Sequence, residues 1–193
     1  MPIDKETSKA LIVANSENDY RVIKNIVGDV LKPVLYASSM VEARQKINRE
    51  NISVIIINTP ISDEFGVQSA LDIIKYKQVG ILLLVKADLY NKVTYMVKDS
   101  GIVVVQKPVD RLMLYQSASI LCVMQRKISE LYKENQKLSK KLQDLNMISR
   151  AKCLLIEKEG MTEETSHHYI EKRAMDEQVT KKEAAMEIIQ KYT

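Results

Sequence analysis

The side chains that could do chemistry in this sequence are cations and amides, not nucleophiles or metal ligands. Arg150, Lys152, Lys158, Lys172, Arg173, Lys181 and Lys182 punctuate the last third of the chain, with His168 and Tyr169 among them. Cations neutralise phosphates and flat rings stack on splayed bases, so this set allows a nucleic-acid partner without specifying one. Each residue has a plainer role beside it. Tyr169 shares a helix side with Ile170 and Arg173, which makes it a core residue first. Arg173 can equally pair with Glu163, Glu164 or Asp176, and Met175 reads as packing. His167 and His168 are adjacent, and adjacent helix positions do not face one way, so they do not suit a shared metal ion. Cys122 and Cys153 form neither a metal pattern nor a disulfide pattern and fit a reducing cytoplasm. No cofactor, no metal and no enzymatic reaction is expected.

Bulk properties leave those roles open. The 193 residues carry a net charge of +4, evenly spread: 15 Lys and Arg against 13 Asp and Glu up to residue 123, and 14 against 12 beyond it. Charge therefore allows a nucleic-acid partner without demanding one. Hydrophobic content is 46%, enough for a sizeable core. The richest apolar runs, Val54 to Ile57 and Ile81 to Val85, fall far short of the ~20 residues that a bilayer needs. No charged-then-apolar leader opens the chain, so secretion is not expected.

The elements that must position these groups fall into three parts. Over residues 1–122, short apolar runs alternate with helical patterns. Strands are predicted at Ala10 to Ala14, Val34 to Ala37, Ser53 to Ile57, Ile81 to Val85 and Ile102 to Val105. Helices are predicted at Glu17 to Val30, Met40 to Arg49, Gln68 to Tyr76 and Ala87 to Lys98, with Ser39 and either Asn15 or Ser16 as N-caps. Asp63-Glu64 reads as the acidic start of a helix. Five near-continuous apolar strands separated by helices imply a parallel sheet covered on both faces. Ligands meet such a sheet beyond the carboxyl ends of its strands. Those ends hold Ala14-Asn15-Ser16, Asn58-Thr59-Pro60, Val85-Lys86 and Gln106-Lys107-Pro108.

From Leu121 the period changes to heptads. Leu121, Ile128, Asn135 and Leu142 take position a, and Met124, Leu131, Leu138 and Leu145 take position d, uninterrupted by Pro or Gly. A period of 3.5 keeps one stripe facing a partner helix, so residues 123–148 read as a coiled-coil dimerisation helix. Asn135 favours a parallel, in-register homodimer, where it meets its own copy. The competing reading is a long amphipathic helix packed on its own domain. Past the heptads, Gly160 suits a helix C-terminus, Thr162 an N-cap, and Thr180-Lys181-Lys182-Glu183 a capping box.

The first part resembles the receiver domain of two-component response regulators, a flavodoxin-like doubly wound α/β fold with strand order 2-1-3-4-5. Gly66, eight residues after Asn58, and Lys107-Pro108 carry the resemblance. The resemblance implies a phosphoacceptor pocket, and this chain departs from it at nearly every position. Asn58 stands in place of the acceptor aspartate, Ala14 and Asn15 in place of the magnesium-holding acids, Val85 in place of Ser or Thr, and Val104 in place of the switch aromatic. Only Lys107 survives, free to pair with another acid or to cap the site. An amide is not a carboxylate nucleophile, and Mg²⁺ wants carboxylate oxygens. A pseudo-receiver is therefore expected, one that answers to a regulatory protein or ligand and not to aspartyl phosphate.

The last part resembles the ANTAR domain, an all-α three-helix RNA-binding module of AmiR- and NasR-type antiterminators. SRAKCLL, GMTEETSHHYIEKRAMDE and VTKKEAAMEII carry that resemblance across residues 129–190, overlapping the end of the coiled coil; Ser166 stands where alanine is common. It implies a dimer that binds paired stem-loops in a nascent leader RNA and prevents the terminator hairpin. The expected RNA-facing set is Arg150, Lys152, Lys158, Thr162, His168, Lys172, Arg173, Lys181 and Lys182, led by Arg150 and Lys152. A second reading is a phosphorelay response regulator acting through protein contacts, with the tail serving only to oligomerise, and a third, ranked last because no helix-turn-helix spacing stands out in the tail, is a DNA-binding regulator.

Overall fold

A computed structural model describes residues 9–192. The first eight residues of the expected 1–122 domain, and with them any leader, lie outside the described residues, as does residue 193. The element order is β1 (Lys9–Val13), α1 (Glu17–Val27), β2 (Val34–Ala37), α2 (Met40–Arg49), β3 (Ile52–Asn58), α3 (Val67–Tyr76), β4 (Gly80–Lys86), α4 (Ala87–Val97) and β5 (Val103–Lys107). Three helices follow: α5 (Arg111–Glu159), α6 (Glu163–Asp176) and α7 (Lys181–Tyr192). Two compact units meet in sequence at Ser129/Glu130, inside α5.

In the first unit the five strands form one all-parallel sheet in the order β2-β1-β3-β4-β5. Side chains alternate across it, as a period of two requires. Leu11, Val13, Ile55, Ile57, Leu83 and Val85 point to one face, under Met40 and Ile47 of α2, Ala70 and Ile73 of α3, and Val93 and Val97 of α4. Ile12, Val54, Ile56, Leu82 and Leu84 point to the other, under Ile23 and Val27 of α1 and Leu114 and Ala118 of α5. Such β-branched runs, buried on both faces, are what a doubly wound sheet demands.

Local chemistry sets the helix ends. Ser16 and Ser39 cap α1 and α2 by accepting from the Asp19 and Glu42 N–H groups, both at 3.1 Å. The α1 helix stops at Val27, three residues short of the expected Val30. The expected helix start at Asp63-Glu64 is corrected. These residues lie in the loop before α3, which begins at Val67 after Gly66 in the left-handed region (φ +87°). Asp63 instead serves α2: its two carboxylate oxygens accept from the Met40 and Val41 N–H groups, each at 3.0 Å. Burial alone would raise that carboxyl, but these bonds and the Arg44 charge outweigh it and hold it below the usual carboxylate range.

The α5 helix crosses the sheet at the start of β4. A Cβ at Gly80 would lie 2.7 Å from Leu121 Cγ and 2.9 Å from Gln125 Cγ, so only glycine admits the crossing. Leu121 is consequently buried in the sheet core beside Leu114 and Ala118. It was expected as the first seam residue. Spacings of four and three place it on the sheet-facing stripe instead, where no partner helix can reach it.

The second unit comprises the end of α5 with α6 and α7. Its core is Ala151 and Leu155 of α5, Ile170 and Ala174 of α6, and Ala184, Ala185 and Ile188 of α7. Ser166 is fully buried beside them and donates to the Glu163 carbonyl at 2.9 Å, which satisfies its hydroxyl inside an apolar core. Gly160 takes φ +67° between α5 and α6. Thr162 and Thr165 cap α6 reciprocally, and Thr180 and Glu183 cap α7.

Candidate nucleic-acid interface and receiver-type pocket

At the carboxyl edge of the sheet, the strand order brings the first, third and fifth strand ends together. Lys107 Nζ donates to the Thr59 carbonyl at 2.6 Å, and Asn15 Nδ2 donates to the Pro60 carbonyl at 3.0 Å. The buried Thr59 hydroxyl donates to the Leu84 carbonyl at 2.8 Å. Tyr36 donates to the Ala14 carbonyl at 3.1 Å. Ala14 and Val85 are fully buried apolar residues, and Asn58 is half-buried at the end of β3. Burial pushes the Lys107 ammonium below the usual lysine range. The Lys86 charge acts the same way, and Asp19 opposes both. Lys107 therefore caps a backbone carbonyl, and of the two acids near the first strand end Glu17 is drawn to Arg21 at 2.9 Å. Among the described residues no cluster of three His, Cys, Asp or Glu could hold a metal ion. The polar groups that remain are amides, an ammonium and carbonyls. They can bind and orient a ligand, and the side chain at the end of β3 is the Asn58 amide in place of a carboxylate.

Along α5 the remaining seam residues are open. Met124, Ile128, Leu131, Leu138, Leu142 and Leu145 are between 38 and 64% exposed. Asn135 is also exposed, and its side chain accepts from Ser139 Oγ at 3.4 Å. Apolar residues at heptad spacing with nothing upon them constitute an unpartnered stripe.

The tail cations divide sharply by their partners. Lys152 is tied to Glu163 and its side chain is only 19% exposed. Lys181 pairs with Glu171, Lys182 with Asp144 at 2.8 Å, and Lys158 with Glu157 at 2.8 Å. Arg173 reaches Glu177 at 3.0 Å and Glu187 at 2.7 Å. The expected partners Glu163, Glu164 and Asp176 are thus corrected: Glu177 lies four residues on, and α7 packing against α6 brings Glu187. Burial would lower the Arg173 guanidinium, but these two carboxylates raise it. His167 and His168 both face Glu171, at 3.3 and 3.6 Å. Thr162 is occupied as the α6 cap. Arg150 and Lys172 are exposed and, among the described residues, make no ion pair.

Two packing expectations fail. Tyr169 lies on the exposed side of α6, beside the core stripe formed by Ser166, Ile170 and Ala174, and Met175 is 78% exposed. Both miss that stripe because it steps by four residues from Ser166. The ends of α5 and α7 also enclose a groove of about 330 Å³, lined by Asn146, Met147, Arg150, Met186, Ile189 and Gln190, which no sequence motif marks. Its lining comes from helices far apart in sequence, and only Arg150 had stood out.

Residues 136–189 match the family described as ANTAR domain. By structure, the chain is similar to the signal receiver domain of an HD domain-containing protein from Pseudomonas fluorescens Pf-5. That match has a TM-score of 0.58 at 16% identity and covers 67% of this chain and 97% of that one. It is also similar to the N-terminal signal receiver domain of a two-component system response regulator from Bacteroides fragilis, with a TM-score of 0.54 at 16% identity, covering 60% of this chain and 96% of that one. A chain from Rhodopirellula baltica described as adenylate cyclase matches with a TM-score of 0.56 at 15% identity, covering 66% of this chain and 98% of that one. At such identities the likeness is one of fold. A comparison with curated proteins finds no match. No described helix is long and apolar enough to cross a membrane. Residues 136–189 thus match an ANTAR domain, and the five-stranded unit before them has the fold of a receiver domain.

Proposed function

We propose that this protein is a dimeric, cytoplasmic, non-enzymatic RNA-binding antiterminator. Two protomers pair in parallel through the α5 seam, and each brings one ANTAR domain to one of two paired stem-loops in a nascent leader RNA. Holding the RNA in that form keeps the terminator hairpin from forming. Two linked weak sites bind far more tightly than either alone, which is what pairing on a coiled coil supplies. The observation that carries this reading is the ANTAR match over 136–189, which overlaps the stretch of α5 where the apolar seam lies uncovered.

The receiver-like domain acts as a docking module whose occupant, a regulatory protein or a small ligand, replaces phosphate as the signal. What supports this is Asn58 at the end of β3, Ala14 and Asn15 after β1, and Lys107 engaged with the Thr59 carbonyl. Incubation with a phosphodonor should leave the chain unlabelled. Stoichiometric acid-labile phosphate would revive the phosphorelay reading.

The deciding experiment is electrophoretic binding of the purified chain to paired stem-loop RNAs from its own genomic neighbourhood. Duplex DNA and unpaired single loops serve as competitors, and the mass of the complex is read by sedimentation. Two protomers on a paired stem-loop, with duplex DNA failing to compete, is the expected result. A single protomer on the RNA, or preference for duplex DNA, would overturn it.

A further inference from the structure

Arg173, Lys181 and Lys182 of α6 and α7 are ion-paired within the domain, whereas Lys172 is not, among the described residues. On α5, Lys133, Lys137 and Lys140 step by four and three residues and share one helix face. All three are exposed, and among the described residues none makes an ion pair. The same stepping continues through Asp144, Met147 and Ala151. Asp144 is tied to Lys182 of α7, Met147 lines the groove with Met186, and Ala151 is buried in the three-helix core. The lysine row therefore runs straight to the groove.

In the heptad frame Lys133, Lys137, Lys140 and Met147 occupy positions f and c, opposite the a and d seam. A parallel partner on the seam leaves this face open, so the second copy is not its occupant. The groove mixes Met147, Met186 and Ile189 with the amides of Asn146 and Gln190 and the unpaired guanidinium of Arg150. Thioether and alkyl walls can hold the face of a flat ring. Amides both donate and accept, as a base edge requires. Six residues of helix, about 9 Å, separate Lys140 from Asn146.

Resting on the RNA-binding reading above, we propose that this groove holds one unstacked base of a looped RNA, while Lys133, Lys137 and Lys140 carry the phosphates of the strand leading to it. The row is a non-specific rail and the groove is the element that reads sequence.

The test uses the full chain and a paired stem-loop RNA that the wild-type chain binds, titrated across salt concentrations. Replacing Lys133, Lys137 and Lys140 together by Gln should lower the log–log salt slope by about 2, at roughly 0.7–0.9 per phosphate. Met186→Ala should weaken binding about 5- to 100-fold, the range of one stacked base, and leave the slope unchanged. Gln190→Ala, on an exposed position, checks the same groove should Met186→Ala fold poorly. Removing one particular loop base should weaken wild-type binding and have no further effect on Met186→Ala. An unchanged slope in the triple variant would overturn the rail. Wild-type affinity in both groove variants, or loss of dimer mass in place of RNA affinity, would overturn the base site. Wild-type protein that binds no stem-loop would instead sink the function reading itself.

Discussion

Leu142→Ala measures how much the α5 seam contributes to dimerisation. Leu142 sits at an a position with 62% of its surface exposed. Full burial of a leucine side chain stabilises by about 1.5–3 kcal/mol, so covering this remainder is worth roughly 1–2 kcal/mol per side chain. A symmetric dimer loses the contact twice, or about 2–4 kcal/mol. At about 1.4 kcal/mol per tenfold, the dimer dissociation constant should rise by about 30- to several-hundred-fold. The fold of the protomer should be untouched, because Leu142 belongs to none of its packed cores. Sedimentation equilibrium over a range of concentrations reads the constant, and circular dichroism checks the helices. Met175→Ala is the control, since Met175 is 78% exposed but off the seam. A dissociation constant within threefold of the parent, or a wild-type chain that sediments as one protomer throughout, would refute the role given to the stripe.

Asn135→Leu should tighten the dimer while loosening its register, seen as loss of an exclusively parallel arrangement by cross-strand labelling; unchanged register would remove the role given to Asn135. Gly80→Ala should destabilise the first unit by about 1–3 kcal/mol, because the new methyl meets Leu121 Cγ at 2.7 Å; an unshifted melting curve would show that α5 does not need that crossing. Asp63→Ala should cost about 1 kcal/mol as a lost helix cap. The folded Asp63 carboxyl is lowered, so its contribution is present above the unfolded carboxylate range near pH 4 and fades as pH falls through the folded value. Exposure of the loop weakens that dependence. Urea melts of parent and variant should converge in acid, and a gap that widens toward low pH would have the wrong sign.

Much of this architecture is legible in the sequence because it is periodic and local. Runs such as Ile52–Asn58 and Gly80–Lys86, apolar on both faces, announce a parallel sheet. Ser39, Thr162 and Thr180 announce helix starts, since a cap acts within three residues of itself. The absence of a nucleophile at Asn58 is a fact of composition at one position. The α5 heptads state that a stripe exists.

What the sequence could not decide is which neighbour each group meets across the fold. Asp63 caps a helix 23 residues earlier in the chain, a contact that no local rule contains. Leu121 satisfies the heptad as well as Leu142 does, yet one is buried beneath the sheet and the other is bare. Arg150 and Lys152 are two residues apart and read alike. Tertiary packing brings Glu163 to Lys152 and leaves Arg150 at the lip of a groove. Residue type and spacing determine which face a side chain occupies on its own element. Whether that face is covered, paired or open is set by the elements that pack against it, and those come from distant parts of the chain.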